Sequence, residues 1–269
     1  MKKRFMVKPV AIVPLFVSVT PIEIYSGSTK VSVATGFFFT HQNQLYLITN
    51  RHVVVNENKE YFPSHIKIRI HTDPNNVKES KCIKINLYNE SGIPIWFEHP
   101  NLHFDQQGNA IPDIIAVPLE LKGRYIIHPF SNSNFPMKDL LLSPGEELIV
   151  IGYPLGFYDV VHNLPIVRKA ALSSPYGVPF RGNPFFVIDA ELHPGTSGSP
   201  VLTKPSTTIV TQKGVGIAAS PVSFLLGIHS ASFEPLKLNI VWYSYLIEEV
   251  LLAKHHGKLR CSNKKFNNL

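Results

Sequence analysis

The chain has 269 residues, of which 44% are hydrophobic and 17% are charged, a balance that supports a large core and excludes an intrinsically disordered chain. Two cysteines exclude a disulfide framework, and 22 prolines with 16 glycines favour short strands joined by turns over long helices. The net charge of +7 comes from nine basic residues near the two ends; 17 basic and 19 acidic residues remain elsewhere, which argues against a nucleic-acid-binding face on the folded body.

The two ends are predicted to be appendages. Residues 1–19 begin with basic residues and continue into an apolar run, as a signal peptide does. Two prolines interrupt the run, no small-residue cleavage site precedes Thr20, and the run is too short for a membrane span. We expect a cytoplasmic protein whose leader packs on the body, with export through this poor signal-like segment as the alternative. The basic tail, residues 254–269, is expected to be solvated and to bind anions only weakly.

The first candidate functional residue follows a predicted hairpin. Two apolar strands within residues 34–54 flank the polar turn at residues 41–44, and His52 stands where the second strand ends. The ends of strands are common places for functional groups, although a histidine there also simply caps strands. Further strands are predicted where apolar residues alternate with polar ones or form short runs, at residues 22–25, 31–33, 66–70 and 83–87.

An acidic residue interrupts the apolar segment 111–119. Asp113 lies among isoleucines, and a buried carboxylate is costly unless it has a partner. A histidine would be a suitable partner; the alternative is a solvated turn aspartate after Pro112.

The segment His193-Pro-Gly-Thr-Ser-Gly-Ser-Pro200 combines a hydroxyl with a turn of small residues. Such a turn can direct several backbone N–H groups into one hollow, so Ser197 would have both requirements of acyl transfer, a nucleophile and donors for an oxyanion. A purely structural turn is the alternative. An α/β-hydrolase is excluded because position 199 is not glycine, Pro200 opposes a following helix, and the best-placed histidine precedes the serine.

Two further segments have a recognisable pattern. Residues 244–253 form one amphipathic helix, whose apolar face is expected to be buried. Glu98, His99, His103 and Asp105 contain metal-ligating side chains, but Pro100 and the loop-like setting argue against a metal site. No metal or other cofactor is expected.

Three segments in the order His, Asp, Ser resemble the signatures of trypsin-like (chymotrypsin-fold) serine peptidases: residues 49–53, 113–117 and 195–200. Residues 151–156, 188–195 and 226–231 are similar to the bacterial HtrA-type branch, without its C-terminal peptide-binding module. The resemblance implies an all-β fold of two six-stranded antiparallel barrels with a C-terminal helix, residues 244–253, packed on the outside of the second barrel. Its expected division is a leader (1–19), a first barrel (20–120), a connection (121–140), a second barrel with the helix (141–253) and the basic tail (254–269).

The same resemblance implies a serine endopeptidase acting on protein or peptide substrates. His52 would be the general base, Asp113 its orienting acid and Ser197 the nucleophile, with the N–H groups of Gly195 and Ser197 as oxyanion hole. Substrate would pair along Ser230, Ala231 and Ser232. Glu191 and Leu192 stand at the expected base of the side-chain pocket: an inward Glu191 predicts basic substrates, and Leu192 predicts small apolar ones, which we favour slightly.

Two departures from the family pattern matter, the missing peptide-binding module and the missing activation signature. Thr196 replaces the aspartate that trypsin uses for activation, and no Ile-Val-Gly-Gly segment is present, so activation by cleavage is not expected. Two other functions stay open: a silent or conditionally active relative that binds peptides, and a nucleic-acid or membrane binder acting through the tail.

Overall fold

A computed structural model describes residues 14–259, so the predictions for residues 1–13 and for the tail beyond residue 259 lie outside the described part. The described chain is rich in strands and contains two α-helices. In chain order the elements are β1 (Val19–Ser26), β2 (Thr29–His41), β3 (Gln44–Thr49), α1 (Arg51–Val54), β4 (His65–His71), β5 (Ser80–Asn86), β6 (Phe97–Glu98), β7 (His103–Phe104), β8 (Ala110–Ile111), β9 (Ile115–Leu119), β10 (Glu147–Gly152), β11 (Ile166–Leu172), β12 (Phe185–Asp189), β13 (Pro200–Thr203), β14 (Ser206–Thr211), β15 (Gly214–Val222), β16 (Leu225–Phe233), β17 (Leu238–Tyr243), α2 (Tyr245–Ala253) and β18 (His255–His256).

In the first half, β1–β6 and β9 form one antiparallel sheet with the C-terminal β18, in the order β18-β6-β9-β3-β2-β1-β4-β5. Strands β7 and β8 form a separate hairpin. The alternation predicted for residues 66–70 is confirmed: Ile66, Ile68 and Ile70 are buried, and the residues between them are half-buried. The two ends of the sheet approach each other, because the Ile95 N–H donates to the Leu87 carbonyl at 3.0 Å. The sheet is therefore rolled around its core. It has eight strands rather than the predicted six, since the short β6 and β18 extend it.

The second half contains a closed six-stranded barrel, β10-β11-β12-β17-β16-β13, which confirms the all-β fold class. Its interior is filled by apolar side chains from every strand, among them Leu148, Leu172, Phe186, Val201, Ile228 and Val241. Strands β14 and β15 form a separate hairpin outside this barrel.

Helix α2 confirms the predicted helix, but its main contacts are with β6 and β9 of the first sheet rather than with the second barrel. The apolar side Leu246, Ile247, Val250 and Leu251 is buried. On its other side Glu249 bonds to the buried His99, with 2.6 Å between Oε2 and Nε2. The periodicity identified the buried face but carried no information on which sheet covers it. Within residues 14–259 no helix is long and apolar enough to cross a membrane.

The first residues of the predicted solvated tail instead join the body. Strand β18 pairs with β6, and the Lys258 N–H donates to Oε2 of Glu98 at 3.1 Å. The Lys258 carbonyl accepts from the guanidinium of Arg51 at 3.2 Å. Arg51 and Glu98 are almost fully buried and bond to each other at 2.8 Å, so the tail segment supplies part of the pairing that a buried charge requires.

Candidate functional site

His52 and Asp113, 61 residues apart in sequence, are in direct contact. Nδ1 of His52 lies 2.6 Å from Oδ2 of Asp113, and the His52 backbone N–H donates to Oδ1 at 3.0 Å. A carboxylate only accepts hydrogen bonds, so Nδ1 must carry the proton in this pair. In the neutral imidazole Nε2 is therefore the basic nitrogen. The His52 side chain is 39% exposed, so one part of the ring is accessible from the cleft.

The local chain positions both residues differently from the sequence prediction. The second strand of the hairpin ends at Thr49, and His52 lies in the single-turn helix α1 that follows it. Asp113 precedes β9, the neighbour of β3, so the two adjacent strand ends bring the side chains together. The amide of Asn50 fixes this junction by donating to the Asp113 carbonyl at 2.8 Å.

The ionisation of the pair follows from this contact. Burial lowers the pKa of His52, but the charge and hydrogen bond of Asp113 outweigh it, and the pKa lies above the ordinary histidine value. Burial raises the pKa of Asp113, but His52 and the Ser230 hydroxyl, which donates at 2.6 Å, bring it below the ordinary aspartate value. Asp113 is therefore a carboxylate at neutral pH. The third donor, Ser230, was predicted only as part of the substrate edge.

Ser197 lies in the same cleft as His52 and Asp113, a hollow of about 890 Å³ between the two halves. In this structure its hydroxyl donates to the Ser230 carbonyl at 3.1 Å. The three predicted residues are thus brought into one cleft, with the Ser197 hydroxyl turned toward β16.

The turn before and after Ser197 depends on two glycines. Gly195 has φ +97°, and a Cβ there would stand 2.6 Å from the Tyr153 carbonyl oxygen. Gly198 has φ +84° and packs against the Thr35 carbonyl oxygen so closely that a Cβ would overlap it. Both positions are restricted to glycine by conformation and by space.

The backbone N–H groups of Gly195 and Ser197 have no acceptor among the hydrogen bonds of residues 14–259. Each N–H shares a planar peptide unit with the carbonyl of the preceding residue, and the two groups point in opposite directions. A hydrogen bond to that carbonyl therefore also fixes the direction of the N–H. The Pro194 carbonyl accepts from the Leu155 N–H at 2.6 Å, and the Thr196 carbonyl contacts Nδ1 of His229 at 3.0 Å. These two contacts hold the two N–H groups of the turn.

Thr35, on β2 of the first sheet, connects the two halves at this turn. Its N–H donates to the Ser197 carbonyl at 2.9 Å, and its hydroxyl donates to the Gly195 carbonyl at 2.8 Å. The same hydroxyl accepts from the Tyr153 N–H at 3.0 Å. Because Thr35 is fully buried, these bonds are not exchanged with water and fix the turn against the first sheet.

His229 is buried beside the turn, between the Thr196 carbonyl and Oδ1 of Asn239, which lies 3.3 Å from Nε2. Burial lowers its pKa to about 4. The ring is therefore neutral near pH 7. Its single proton is on Nδ1, which donates to the Thr196 carbonyl in the shorter of the two contacts.

We expect this histidine to make the fold sensitive to acid. In the unfolded chain His229 becomes protonated below about pH 6.5, whereas in the native protein its ring stays neutral until the pH reaches about 4. Between these values protons favour the unfolded state, so the free energy of unfolding decreases as the pH falls. Between pH 7 and pH 5 the loss due to His229 amounts to about 2 kcal/mol. Urea unfolding at both pH values measures it. His229→Gln removes this dependence and retains the other titrating groups; equal losses in both proteins would contradict the assignment.

The predicted substrate-binding residues divide into two groups. Leu192, Ser230, Ala231 and Ser232 line the cleft. The Glu191 side chain is instead 64% exposed, lies 3.5 Å from Arg168 and does not line the cleft. Leu192 therefore lies at the cleft and the Glu191 carboxylate does not, as the apolar alternative for the pocket requires.

The residues considered for a metal site have protein partners elsewhere. Glu98 bonds to Arg51 and to the Trp96 indole, His99 to Glu249, and Asp105 to Asn109 in its own turn. The described residues contain no group of three metal-ligating side chains.

Sequence reasoning missed Thr35, Asn50 and His229, which contact the predicted residues. Thr35 is 160 residues from Gly195, and no local pattern marks it. His229 carried a weak signal, because a histidine stands in an otherwise apolar and small-residue strand directly before Ser230.

Comparison with known proteins gives one family and several relatives. A model of the trypsin-like peptidase domain matches residues 34–210. The putative serine protease HhoB of Synechocystis sp. is 34% identical over 90 residues, which cover 34% of this chain and 22% of HhoB. The chain thus matches about a fifth of that relative's length.

Solved structures similar to the chain include a serine endoprotease from Yersinia pestis, with a TM-score of 0.48 and 18% identity over 88% of this chain and 62% of that chain. Deg5 has a TM-score of 0.49 and 14% identity over 87% of both chains. The active form of the Rv3671c protease from M. tuberculosis has a TM-score of 0.47 and 18% identity over 90% of this chain and 83% of that one.

Proposed function

Because this chain belongs to the trypsin-like peptidase family, we propose that it is a serine endopeptidase that uses His52, Asp113 and Ser197 as its catalytic triad. The resemblance drawn from the three motifs is confirmed by the family match, and the relative HhoB agrees with the HtrA-type branch. The observation that carries the proposal is the bonded His52–Asp113 pair in one cleft with Ser197.

In the proposed reaction Nε2 of His52 takes the proton of the Ser197 hydroxyl as its oxygen attacks the peptide carbonyl carbon. The proton then passes to the leaving amine, which leaves an acyl-enzyme on Ser197, and water attacks this ester in the reverse sense. Asp113 holds the tautomer with the proton on Nδ1 and stabilises the imidazolium. The Ser197 hydroxyl turns from the Ser230 carbonyl toward His52 at this step; such bonds tighten when substrate binds.

The oxyanion that forms in this step is stabilised by the N–H groups of Gly195 and Ser197. Neither has another acceptor in the described chain, and the contacts at Pro194 and Thr196 hold their peptide planes. A preorganised donor of this kind contributes about 3–4 kcal/mol to the stabilisation of the transition state.

Substrate is expected to bind as an added strand along Ser230–Ser232. β13 pairs with β16 up to Ile228, and the turn before β13 bonds both backbone groups of His229. The free edge of β16 next to Ser197 therefore begins at Ser230. Pairing along such an edge recognises the main chain of a peptide and leaves its side chains to the neighbouring pockets.

Reaction with a fluorophosphonate probe tests the proposal. The wild-type protein should be labelled, with the adduct on the peptide that contains Ser197, and Ser197→Ala should not be labelled. Ser206→Ala, which removes an exposed hydroxyl on β14, is the matched control and should label like the wild type. An adduct on another residue would overturn the assignment of Ser197.

A conditionally active peptide-binding relative is the second candidate. It is favoured by one observation, the hydrogen bond of the Ser197 hydroxyl to Ser230 instead of His52. Labelling only when peptide is present would support this candidate over the first, and absence of labelling both with and without peptide would support a silent peptide-binding relative.

A further inference from the structure

The cleft that contains Ser197 continues past the free edge of β16 to side chains that the proposed mechanism does not use. They are aromatic, apolar or hydrogen-bond donating: Arg181, Asn183, Phe185, Phe233, Ile240 and Trp242. Phe233 follows Ser230–Ser232 directly on β16. A peptide extended along that edge advances about 3.3 Å per residue, so it reaches this end of the cleft within a few residues of the cleaved bond.

Arg181 is a cation without a counter-charge at this end. Its guanidinium carbon lies 5.5 Å from the ring centre of Phe180 and 5.4 Å from that of Phe233, both within the range of cation–π contacts. Within the described part of the chain no carboxylate lies within 4.0 Å of it. Arg181 and Gly182 both have positive φ, in a turn that ordinarily favours Asn-Gly, so the arginine occupies a backbone conformation that is unfavourable for it.

Trp242 adds a buried aromatic ring to this end of the cleft, where it is 4% exposed. Ring contacts connect Trp242 to the arginine. The ring centre of Phe185 lies 5.3 Å from that of Trp242 and 6.4 Å from that of Phe233, the ring that the Arg181 guanidinium contacts.

We propose that this end of the cleft is a subsite for an acidic side chain of the substrate, bound by the guanidinium of Arg181. The inference rests on the proposed function and adds to it a substrate class. A carboxylate brings acceptors only and a negative charge, whereas the amide of a glutamine is neutral and brings a donor group that the guanidinium cannot accept. The rings of Phe185 and Phe233 pack against the methylene groups of such a side chain. Glu234, the carboxylate nearby, is engaged with the Ser232 hydroxyl at 3.2 Å.

Peptide binding to the full-length Ser197→Ala protein tests this subsite without turnover. A neutral peptide is compared with a series in which one glutamate, or one glutamine as its matched neutral side chain, is placed at each position in turn. At one position glutamate should bind about tenfold more tightly than glutamine, as expected for a charge-assisted hydrogen bond. Arg181→Gln should remove this preference, and Arg181→Lys should retain most of it.

Two variants separate the subsite from general charge effects. Arg168→Gln removes a cation that bonds to the Glu191 carbonyl outside the cleft, and it should leave the preference unchanged. Glu234→Gln should strengthen the preference, because it removes a negative charge from the cleft. No tighter binding of glutamate at any position, or a preference that Arg181→Gln does not alter, overturns the proposal. Failure of the peptidase proposal is recognised separately, by absence of probe labelling in the wild type.

Discussion

Replacing Ser197 by alanine should lower peptide hydrolysis by about 10⁶-fold, because the substitution removes the atom that forms the acyl-enzyme. The fold should not change. Among residues 14–259 the Ser197 hydroxyl makes one hydrogen bond, to the Ser230 carbonyl. The conformation of the turn is set by Gly195, Gly198 and the bonds from Thr35. The loss should therefore appear in kcat, with the affinity for a peptide substrate retained.

Steady-state hydrolysis of a fluorogenic peptide measures this change, and urea unfolding checks the fold. Ser206→Ala again serves as the matched control and should hydrolyse the peptide at the wild-type rate. A Ser197→Ala protein that keeps activity within tenfold of wild type would show that another group is the nucleophile.

The sequence was sufficient for features that depend on local pattern. The alternation of Ile66, Ile68 and Ile70 predicts one buried face whatever sheet the strand joins, because successive side chains point to opposite sides. Asp113 stands out because a carboxylate among isoleucines needs a partner. The order of the His52, Asp113 and Ser197 segments then indicated that these residues meet in one site.

The sequence was insufficient for features that depend on which distant element covers a surface. The apolar face of α2 predicts burial, but the choice between the first sheet and the second barrel depends on contacts such as His99–Glu249, 150 residues apart. The segment around Lys258 has the composition of a solvated tail, yet the buried pair Arg51–Glu98 requires its backbone. Such pairings are set by the complete fold and leave no periodic signal near either partner.

The tight geometry around the nucleophile has the same origin. Thr35 bonds to Gly195 and Ser197 across a sequence separation of about 160 residues, and a threonine on a strand is unremarkable in composition. His229 acts through Thr196, whose N–H and carbonyl belong to a turn that the sequence marks only by small residues. The motif therefore identified the reacting side chain, and the residues that hold the turn required the structure.

Replacing Asp113 by asparagine should lower kcat/KM by about 10⁴-fold with little change in overall fold. Oδ2 of Asp113 now accepts from Nδ1 of His52 and from the Ser230 hydroxyl, and Oδ1 accepts from the His52 N–H. An asparagine that keeps its oxygen on the backbone N–H presents its NH₂ group to Nδ1, which stabilises the tautomer with the proton on Nε2. That nitrogen then has no lone pair for the Ser197 proton, so the general base is lost.

The same substitution should shift the pH dependence of the residual activity. Asp113 raises the pKa of His52, so in the wild type kcat/KM falls as the pH decreases through this raised pKa. Without the carboxylate that fall should begin at a lower pH, and a pH profile of kcat/KM from 5 to 9 measures the shift. Asp139→Asn, which removes a carboxylate near Lys213 outside the cleft, should leave rate and profile unchanged. An Asp113→Asn protein with an unshifted profile would mean that the carboxylate does not set the ionisation of His52, and that its contact with the imidazole is structural only.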